Sequence, residues 1–320
     1  MSIKVDPELA AILAAMPPVP KPELHSALDI RRIANASITS RAVPPVEGVA
    51  ETKHTISSVD GTSIDVYRFV PPVAATSSPP QRAILFAFGG GMVAGSVAIW
   101  RPMIGDIAME TGTQVFAVDY RLAPEHPGPA AVEDCYSSVA WLQSKAADFN
   151  VDPKRIVLFG KSAGGGICAG TALMAKDKGL LYPIAAVALI YPMLDDQTVL
   201  ADDHPLSAHI TWNSTANTLA WEALLGNTRE KRTNENVPVY CAPVRAKAED
   251  LRGLPDTYIE VGGLDLFKNE CLAYASKLAT ADVDVEFHLY SGVPHGFEFM
   301  PGLSVAAMAL ANQTKFLISY

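Results

Sequence analysis

The chain has 320 residues, of which 49% are hydrophobic and 18% are charged. This apolar content excludes a disordered chain, and the length fits either two domains or one large α/β unit. The formal net charge of −9 and the pI of about 5.3 argue against binding to nucleic acid or to an anionic membrane surface.

The first 50 residues predict two amphipathic helices. Asp6 followed by Pro7 is a typical helix start, and the proline pair at 17–18 ends this first helix. Its predicted buried face consists of Leu9, Ile12, Leu13 and Met16. A second helix is expected from residue 22 to about residue 37, with buried side chains at Leu24, Leu28 and Ile33. Its predicted exposed charged residues are Glu23, Asp29, Arg31 and Arg32.

The following stretches predict a β-hairpin and then alternating strands and helices. The β-rich segments 52–59 and 63–70 flank Asp60-Gly61, a dipeptide that favours a hairpin turn, and 71–80 reads as a loop. Short apolar runs typical of buried parallel strands lie at 83–88, 114–119, 155–160, 185–191, 257–262 and 285–290. Helical patterns lie at 102–111, 130–146, 163–176, 267–280 and 303–318. With the hairpin included, the pattern predicts an α/β protein with a mostly parallel sheet of about eight strands.

One polar interval, residues 195–238, interrupts this alternation. It is rich in Asp, Asn and Thr and contains Trp212 and Trp221. A loop of this length is uncommon in a compact domain unless it has a function. We interpret it, with the helices of residues 1–50, as a cap over the carboxyl edge of the sheet. The core would then comprise residues 51–194 and 239–320.

Cysteine and histidine usage indicates neither a disulfide framework nor a metal site. The four cysteines are scattered without a CxxC pair, and free thiols in a reducing compartment explain them best. His204 and His209 lie near two aspartates, Asp202 and Asp203, but solvated side chains explain this group better than a metal site. No apolar run approaches the ~18 residues of a membrane span. We therefore expect a cytoplasmic protein.

The segment Gly160-Lys161-Ser162-Ala163-Gly164 carries the first chemical signal. A predicted strand runs directly into this GxSxG pattern, and a helical pattern follows it. In this context the pattern is typical of a nucleophile elbow, because small neighbours allow a sharp turn that exposes the serine hydroxyl. The turn also aims the helix N-terminus at the reacting carbonyl. Ser162 is therefore the candidate nucleophile.

A serine hydroxyl needs a base to become a good nucleophile, and His295 is the candidate. It follows the last predicted strand, on a loop shaped by glycine and proline. Asp265 follows the carboxyl end of strand 257–262 and could orient the histidine. The order Ser162, Asp265, His295 is that of the α/β-hydrolases. Taken alone, Asp265 could also be the N-cap of the next helix.

Three glycines at 89–91 follow Phe88 at the end of strand 83–88, where backbone N–H groups can approach a ligand. This run resembles the HGGG motif of the hormone-sensitive-lipase-like carboxylesterases, the family IV esterases. Segment 160–165 resembles their GDSAGG motif, and segment 120–131 resembles their YRLAPEHPFPAA motif. The segments 191–195 and 254–265 also fit that family. The resemblance covers nearly the whole chain from about residue 50.

Membership of that family implies an α/β-hydrolase fold under a helical cap, no cofactor, and hydrolysis of short- to medium-chain carboxylic esters. By position it makes Ser162 the nucleophile, Asp265 the orienting acid and His295 the general base. The oxyanion-hole N–H groups that it implies are those of Gly90, Gly91 and Ala163. It also implies a structural turn at His126 and a monomer or homodimer.

Two substitutions depart from the family motifs close to the site. Phe88 replaces the histidine before the glycines, so either the oxyanion hole is looser or Phe88 lines a pocket for an apolar or aromatic substrate. Lys161 replaces the usual acidic residue before the serine and either favours anionic substrates or, more simply, faces solvent. Segment 265–270 differs from the family's DPLRDE, which affects loop rigidity more than chemistry. Trp212 and Trp221 either wall the substrate pocket or pack the cap.

The sequence thus predicts a serine carboxylesterase acting on a small-molecule ester. A lactonase or an arylformamidase-type amidase would use the same triad with a different pocket. A non-hydrolytic ligand-binding member of the family, or a lyase of the plant isoflavone type, is a further alternative because Phe88 and Lys161 alter the motifs. Acylation of Ser162 separates the hydrolases from these last two.

Overall fold

The computed structural model describes residues 3–15, 22–40, 44, 46–77, 79–201, 203–300 and 302–320. Within them, one mixed sheet contains the strands β1 (Ala50–Ser57), β2 (Ser63–Val70), β3 (Gln81–Ala87), β4 (Gln114–Asp119), β5 (Val151–Lys161), β6 (Ala186–Ile190), β7 (Asp256–Gly262) and β8 (Val285–Tyr290). Their order is β1-β2-β4-β3-β5-β6-β7-β8. β2 runs antiparallel to both β1 and β4, whereas the other neighbours are parallel. The predicted mostly parallel sheet of eight strands is confirmed.

Helices alternate with these strands and flank the sheet. They are α1 (Pro7–Ala15), α2 (Ala27–Ser40), α3 (Pro72–Ala75), α4 (Val97–Thr111), α5 (Ala130–Ser144), α6 (Ala163–Lys178), α7 (Ser214–Leu225), α8 (Ala248–Leu251), α9 (Lys268–Thr280) and α10 (Ser304–Leu317). In this arrangement α5 packs against α6, and α4 packs against α10. No helix of the described residues is both long enough and apolar enough to cross a membrane.

The central strands are mostly apolar because both of their faces are covered. Almost every side chain of β3, β4, β6 and β7 is buried, whereas every residue of the edge strand β8 before Tyr290 is partly or fully exposed. Parallel strands present their carboxyl ends at one edge of the sheet. The loops that follow β3, β5, β7 and β8 therefore meet at that edge, and they carry the candidate site residues.

The hairpin is confirmed, with a wider turn than the dipeptide signal predicts. Residues 58–62 connect β1 to β2, and Gly61 takes a positive φ of 82°. The Ser58 N–H donates to the Thr62 carbonyl at 2.8 Å, and Asp60 Oδ1 accepts from the Thr62 N–H at 3.0 Å. The hydrogen bond between Ser58 and Thr62 leaves residues 59–61 as the turn. The turn therefore has three residues rather than the two that Asp60-Gly61 alone would form.

The N-terminal helices begin as capped helices, but their buried faces differ from the prediction. Asp6 Oδ1 accepts from the N–H groups of Glu8 and Leu9, and Leu9 is buried. Leu13 and Leu28, predicted as buried, are 47% and 54% exposed. α2 begins at residue 27 rather than 22, because the Ser26 hydroxyl accepts from the Asp29 N–H. Met16 and the proline pair after it lie outside the described residues.

The interval 195–238 contains α7 between two short 3-10 turns, and α7 packs against α2. Asn213 caps α7, since its Oδ1 accepts from the Ala216 N–H at 2.9 Å. At the start of the interval the buried carboxylate of Asp196 pairs with Arg245 at 2.5 Å. This ion pair connects the interval 195–238 to the part of the chain that follows it.

Candidate active site

Ser162 lies on the sharp turn between β5 and α6, with φ 57° and ψ −120°. The close packing of this turn requires glycine on both sides of the serine. A Cβ on Gly160 would lie 2.2 Å from the Gly164 carbonyl oxygen, and one on Gly164 would lie 2.1 Å from the Ala87 carbonyl oxygen. These close approaches explain why small residues flank the nucleophile position.

The three predicted triad residues lie in one line of hydrogen bonds. His295 Nε2 is 2.9 Å from Ser162 Oγ, and His295 Nδ1 is 2.7 Å from Asp265 Oδ2. Asp265 Oδ1 accepts from the Phe267 N–H at 2.9 Å. The Asp265 carboxylate therefore contacts both the histidine and the backbone just before α9. Phe267 occupies the N-cap position of α9, so the alternative of Asp265 as the N-cap is wrong. The geometry suits proton transfer from the serine hydroxyl to the imidazole.

The loops that carry Asp265 and His295 are tied to each other by backbone hydrogen bonds. The Gly263 N–H donates to the Tyr290 carbonyl at 2.7 Å, and the Leu264 N–H donates to the Val293 carbonyl at 2.9 Å. The Phe267 ring meets the His295 ring edge-on, with centroids 5.2 Å apart. The relative position of the acid and the base is therefore fixed by the main chain as well as by their own hydrogen bond.

The glycine run after β3 lies directly against Ser162. A Cβ on Gly89 would lie 3.2 Å from the Ser162 Cβ. Gly90 has a φ of 142°, and its carbonyl accepts from the Ala94 N–H at 3.0 Å. α6 begins at Ala163, so its first N–H groups lie at the positive end of a helix beside the serine. The N–H groups predicted for the oxyanion hole thus belong to backbone segments that border the nucleophile.

Phe88 does not line a substrate pocket, which corrects that prediction. Its ring is fully buried and stacks on Tyr120 with centroids 4.1 Å apart. The Tyr120 hydroxyl donates to the Phe88 carbonyl at 2.7 Å. The stacked ring and this hydrogen bond hold the loop where the family has a histidine. The alternative of a looser hole gains no support from this packing.

The loop of residues 88–96, which we call the oxyanion loop after its predicted role, is also held by α2, and the sequence did not indicate this. Arg31 Nε donates to the Val93 carbonyl at 2.6 Å, and its guanidinium forms two hydrogen bonds with Glu125, at 2.6 and 2.8 Å. The Gly95 N–H donates to Asn35 Oδ1 at 2.9 Å. Arg31 lowers the pKa of Glu125 to about 2, chiefly through the side-chain hydrogen bond. The prediction of a solvated Arg31 is therefore wrong.

Two residues of the interval 195–238, Thr211 and Trp212, contact the loops on either side of Ser162. The Thr211 hydroxyl donates to the His295 carbonyl at 2.9 Å. The Trp212 ring covers Gly91, where a Cβ would lie 2.5 Å from Cη2. Trp212 thus lies against the glycine run, and its place in the wall of a substrate pocket stays a prediction. Trp221 is fully buried within the protein, so its assignment to the pocket wall is corrected to packing of α7.

Lys161 is buried, which corrects the prediction that it faces solvent. Its ammonium is 3.2 Å from Glu298 Oε1 and 3.4 Å from Gln313 Oε1. The same Glu298 oxygen accepts a hydrogen bond from the Tyr191 hydroxyl. Burial and the neighbouring Glu298 carboxylate raise the pKa of Tyr191 well above its usual value. A cation with these partners is not free to bind an anionic substrate.

The remaining histidines and cysteines have structural surroundings. His204 Nδ1 accepts from the Leu206 N–H at 3.1 Å at the start of a 3-10 turn, and the His126 N–H closes a turn onto the Leu122 carbonyl. Asp202, part of the acidic pair near His204, lies outside the described residues. Burial raises the pKa of all four thiols, at Cys135, Cys168, Cys241 and Cys271. Among the described residues no group of three metal-binding side chains occurs.

Comparison with known proteins agrees with this geometry. A family model described as an alpha/beta hydrolase fold matches residues 84–299. The chain is similar to the carboxylesterase NlhH of Mycobacterium tuberculosis, with 28% identity over 92% of this chain and 88% of that protein. It is also similar to the esterase LipI of the same organism, with 34% identity over 72% of this chain and 70% of the relative.

Solved structures give the same result. A bacterial heroin esterase aligns with a TM-score of 0.84 and 30% identity, covering 98% of this chain and 97% of the other. A thermostable esterase from Pseudomonas putida aligns with a TM-score of 0.85 and 25% identity, covering 99% of this chain and 98% of the other. The chain belongs to the α/β-hydrolase fold family, in its hormone-sensitive-lipase-like group of carboxylic ester hydrolases.

Proposed function

We propose that the protein is a serine carboxylesterase that hydrolyses short- to medium-chain carboxylic esters through an acyl-enzyme on Ser162. The observation that carries the proposal is the line of hydrogen bonds from Asp265 through His295 to Ser162, at 2.7 and 2.9 Å. Its relatives named as esterases support the same reaction class.

In the first half of the reaction, Ser162 Oγ attacks the ester carbonyl while His295 Nε2 accepts the hydroxyl proton. Asp265 holds the imidazole in the correct tautomer and stabilises the imidazolium. His295 then donates the proton to the alkoxide of the leaving alcohol, which departs and leaves the acyl group on Ser162. Water repeats the sequence with the acyl-enzyme, releasing the acid and restoring the serine hydroxyl.

The tetrahedral oxyanion would be bound by the backbone N–H groups of Gly90, Gly91 and Ala163. Backbone donors that are already fixed need little reorganisation when the negative charge develops. Residues 1–50 and 195–238 would form the cap, with Trp212 in contact with the substrate. The contacts of Trp212 with Gly91 and of Thr211 with His295 support this division.

Hydrolysis of a p-nitrophenyl ester series, from acetate to decanoate, tests the proposal together with labelling of Ser162 by a fluorophosphonate. We expect turnover and labelling in the wild type and a loss of at least about 10³-fold in Ser162→Ala. Ser144→Ala is the matched control, because its hydroxyl lies at the exposed end of α5 and donates to the Trp141 carbonyl of the same helix. The chain length with the highest kcat/KM measures the acyl pocket.

The other outcomes separate the alternatives. Labelling of Ser162 without turnover of any p-nitrophenyl ester would point to a narrower substrate, and lactones and N-formyl arylamines would then be assayed. Neither labelling nor turnover in a folded protein would contradict the proposed hydrolase and favour a ligand-binding member or a lyase.

A further inference from the structure

A buried cluster of polar side chains lies behind His295, and the mechanism above assigns it no part. Lys161 Nζ and Glu298 Oε1 are 3.2 Å apart, and each side chain is only 2% exposed. Glu298 Oε1 also accepts from the Tyr191 hydroxyl, and the Tyr191 ring packs on the His295 ring with centroids 4.3 Å apart. Lys161, the residue before Ser162, is thus connected to the His295 ring through Glu298 and Tyr191.

The backbone of Tyr191 is strained in a way that fits a positioning role. Its φ is 37°, a conformation that is unfavourable for a bulky side chain. The Tyr191 N–H donates to the Glu260 carbonyl at 2.7 Å, which keeps the backbone in this conformation. The ring is held between His295 and Glu298, so movement of the carboxylate would move the surface against which the imidazole packs.

The charges of the cluster matter because His295 must become an imidazolium during each half of the reaction. A lysine ammonium in this buried region would by itself oppose that positive charge, and a glutamate carboxylate would by itself favour it. The close pairing of Lys161 with Glu298 cancels most of both effects at His295. The second oxygen of Glu298 is buried without a hydrogen-bond partner among the described residues. The negative charge of the Glu298 carboxylate is therefore balanced by the Lys161 ammonium.

We propose that Lys161 and Glu298 form a charge-compensated pair that positions Tyr191 against His295 and adds no net charge to the surroundings of the base. The inference rests on the proposed role of His295 as general base. Both are positioning residues, since they act on the reaction through Tyr191 and His295. The lysine that departs from the family motif is, in this proposal, matched by a glutamate 137 positions later in the chain.

Other titratable groups surround the cluster, and they are the same in every variant proposed below. Asp265 faces His295 directly. Glu260 of β7 and Glu110 of α4 lie close enough for Lys161 to lower the pKa of each, although burial raises both. Loss of Lys161 would leave Glu260 and Glu110 less ionised, and loss of Glu298 would leave Glu260 more ionised. Both responses oppose the shifts expected below, so they can weaken those shifts but cannot produce them.

The test is the pH dependence of kcat/KM for p-nitrophenyl butyrate, followed at the isosbestic wavelength of p-nitrophenol. In Lys161→Met the unpaired Glu298 carboxylate stabilises the imidazolium, so the acidic limb moves to higher pH. In Glu298→Gln the unpaired ammonium moves it to lower pH. We expect about half a pH unit or more in each direction, and a return toward the wild-type profile in the double variant. Shifts of the same sign, or none, would overturn the proposal.

Controls separate this effect from folding and from general charge effects. Lys145→Met and Asp148→Asn remove an exposed pair of similar spacing, 3.6 Å, and are expected to leave the profile unchanged. Removing one partner of a buried pair is destabilising, so the melting temperature of each variant is recorded. The double variant leaves neither charge unpaired and is expected to fold.

Tyr191→Phe provides a second test that does not disturb the charge pair. It keeps the ring on His295 and removes only the hydroxyl that Glu298 holds, so kcat should fall about three- to tenfold while KM stays the same. An unchanged kcat would contradict the positioning role. Normal fluorophosphonate labelling of Ser162 with identical pH profiles would overturn this inference alone, whereas absent labelling in the wild type would overturn the proposed function.

Discussion

The two sides of Ser162 are held in place by different kinds of interaction. On one side, the oxyanion loop rests on α2 through Arg31, whose side chain is 25% exposed and pairs with a half-exposed Glu125. On the other side, the His295 ring packs on Tyr191, whose hydroxyl donates to Glu298. Glu298 pairs with Lys161, and the side chains of both are only 2% exposed. The first side is therefore held at the protein surface and the second within its interior.

This difference predicts how each side responds to change. An ion pair near the surface contributes little to stability, and the loop it holds is shaped mainly by glycines with backbone close around them. A buried pair is costly to break, because the charge that remains has lost its partner. Substitutions on the oxyanion side should mainly change catalysis, whereas substitutions on the base side should change both catalysis and stability.

Asp265→Asn should have the largest effect on activity. The amide would place an N–H opposite His295 Nδ1 and favour the wrong tautomer, so kcat should fall by about 10³- to 10⁴-fold. Its Oδ1 can still accept from the Phe267 N–H, which leaves the start of α9 intact. Steady-state kinetics and circular dichroism are the measurements, with the exposed Asp282→Asn as control. A loss below tenfold would contradict the orienting role.

Gly90→Ala should have the next largest effect, on the opposite side of the serine. A Cβ there would lie 2.1 Å from the Ala94 carbonyl oxygen at a φ of 142°, so the loop has to move. We expect kcat to fall by about 10²- to 10³-fold, as for loss of an oxyanion donor, with a small change in melting temperature. Gly61→Ala also has a positive φ but meets open space, so it measures the backbone strain alone. Equal kcat in both variants would argue against this oxyanion hole.

Much of the fold and of the candidate site could be predicted because the signals are local. Apolar runs of strand length, separated by helical patterns, were enough for the eight-stranded sheet. The triad residues each follow a predicted strand, and parallel strands bring their carboxyl ends together. Ser162, Asp265 and His295 could therefore be chosen from the sequence before any distance was known.

The wrong predictions concern contacts between distant parts of the chain. Lys161 looks like a surface lysine until Glu298 is known to face it, 137 positions away. Arg31 and Arg32 are adjacent, and how α2 docks decides which one meets the oxyanion loop. The Phe88 ring stacks on Tyr120, and the spacing of the two residues in the sequence does not indicate that they are in contact. In each case the sequence shows the chemistry of the side chain but not which distant residue it contacts.

Arg31→Met tests the surface side of the comparison with a smaller expected effect. The variant removes the hydrogen bonds to the Val93 and Ala123 carbonyls but leaves Asn35 on Gly95. We expect kcat to fall about tenfold or less with nearly unchanged KM, because the oxyanion donors are displaced rather than lost. Arg32→Met, at an exposed position of the same helix, is the matched control. Equal kinetics in the two variants would show that α2 does not position the loop.

Glu260→Gln tests the interior side and should have the smallest effect on activity. Burial, the largest cause, raises the pKa of Glu260 to about 8, against an ordinary value of 4.5. Between these values the folded protein holds a proton that the unfolded chain has released, so the free energy of unfolding falls as pH rises. The residue accepts hydrogen bonds from Tyr258 and Gln313. A glutamine can accept one of them through its Oε1 and can donate from its NH2 group to the Tyr258 hydroxyl oxygen.

The measurement is urea unfolding of the wild type and of Glu260→Gln at pH values from 5 to 8. The difference in unfolding free energy between them should change in favour of the variant by up to about 1.4 kcal/mol per pH unit, the value for one proton. Glu249→Gln removes an exposed carboxylate on α8. Its free energy of unfolding should change with pH in the same way as that of the wild type. If the unfolding free energy of Glu260→Gln also changed with pH as the wild type's does, burial of Glu260 would not be what lowers stability as the pH rises. The contrast between the two sides of Ser162 would then rest on catalysis alone.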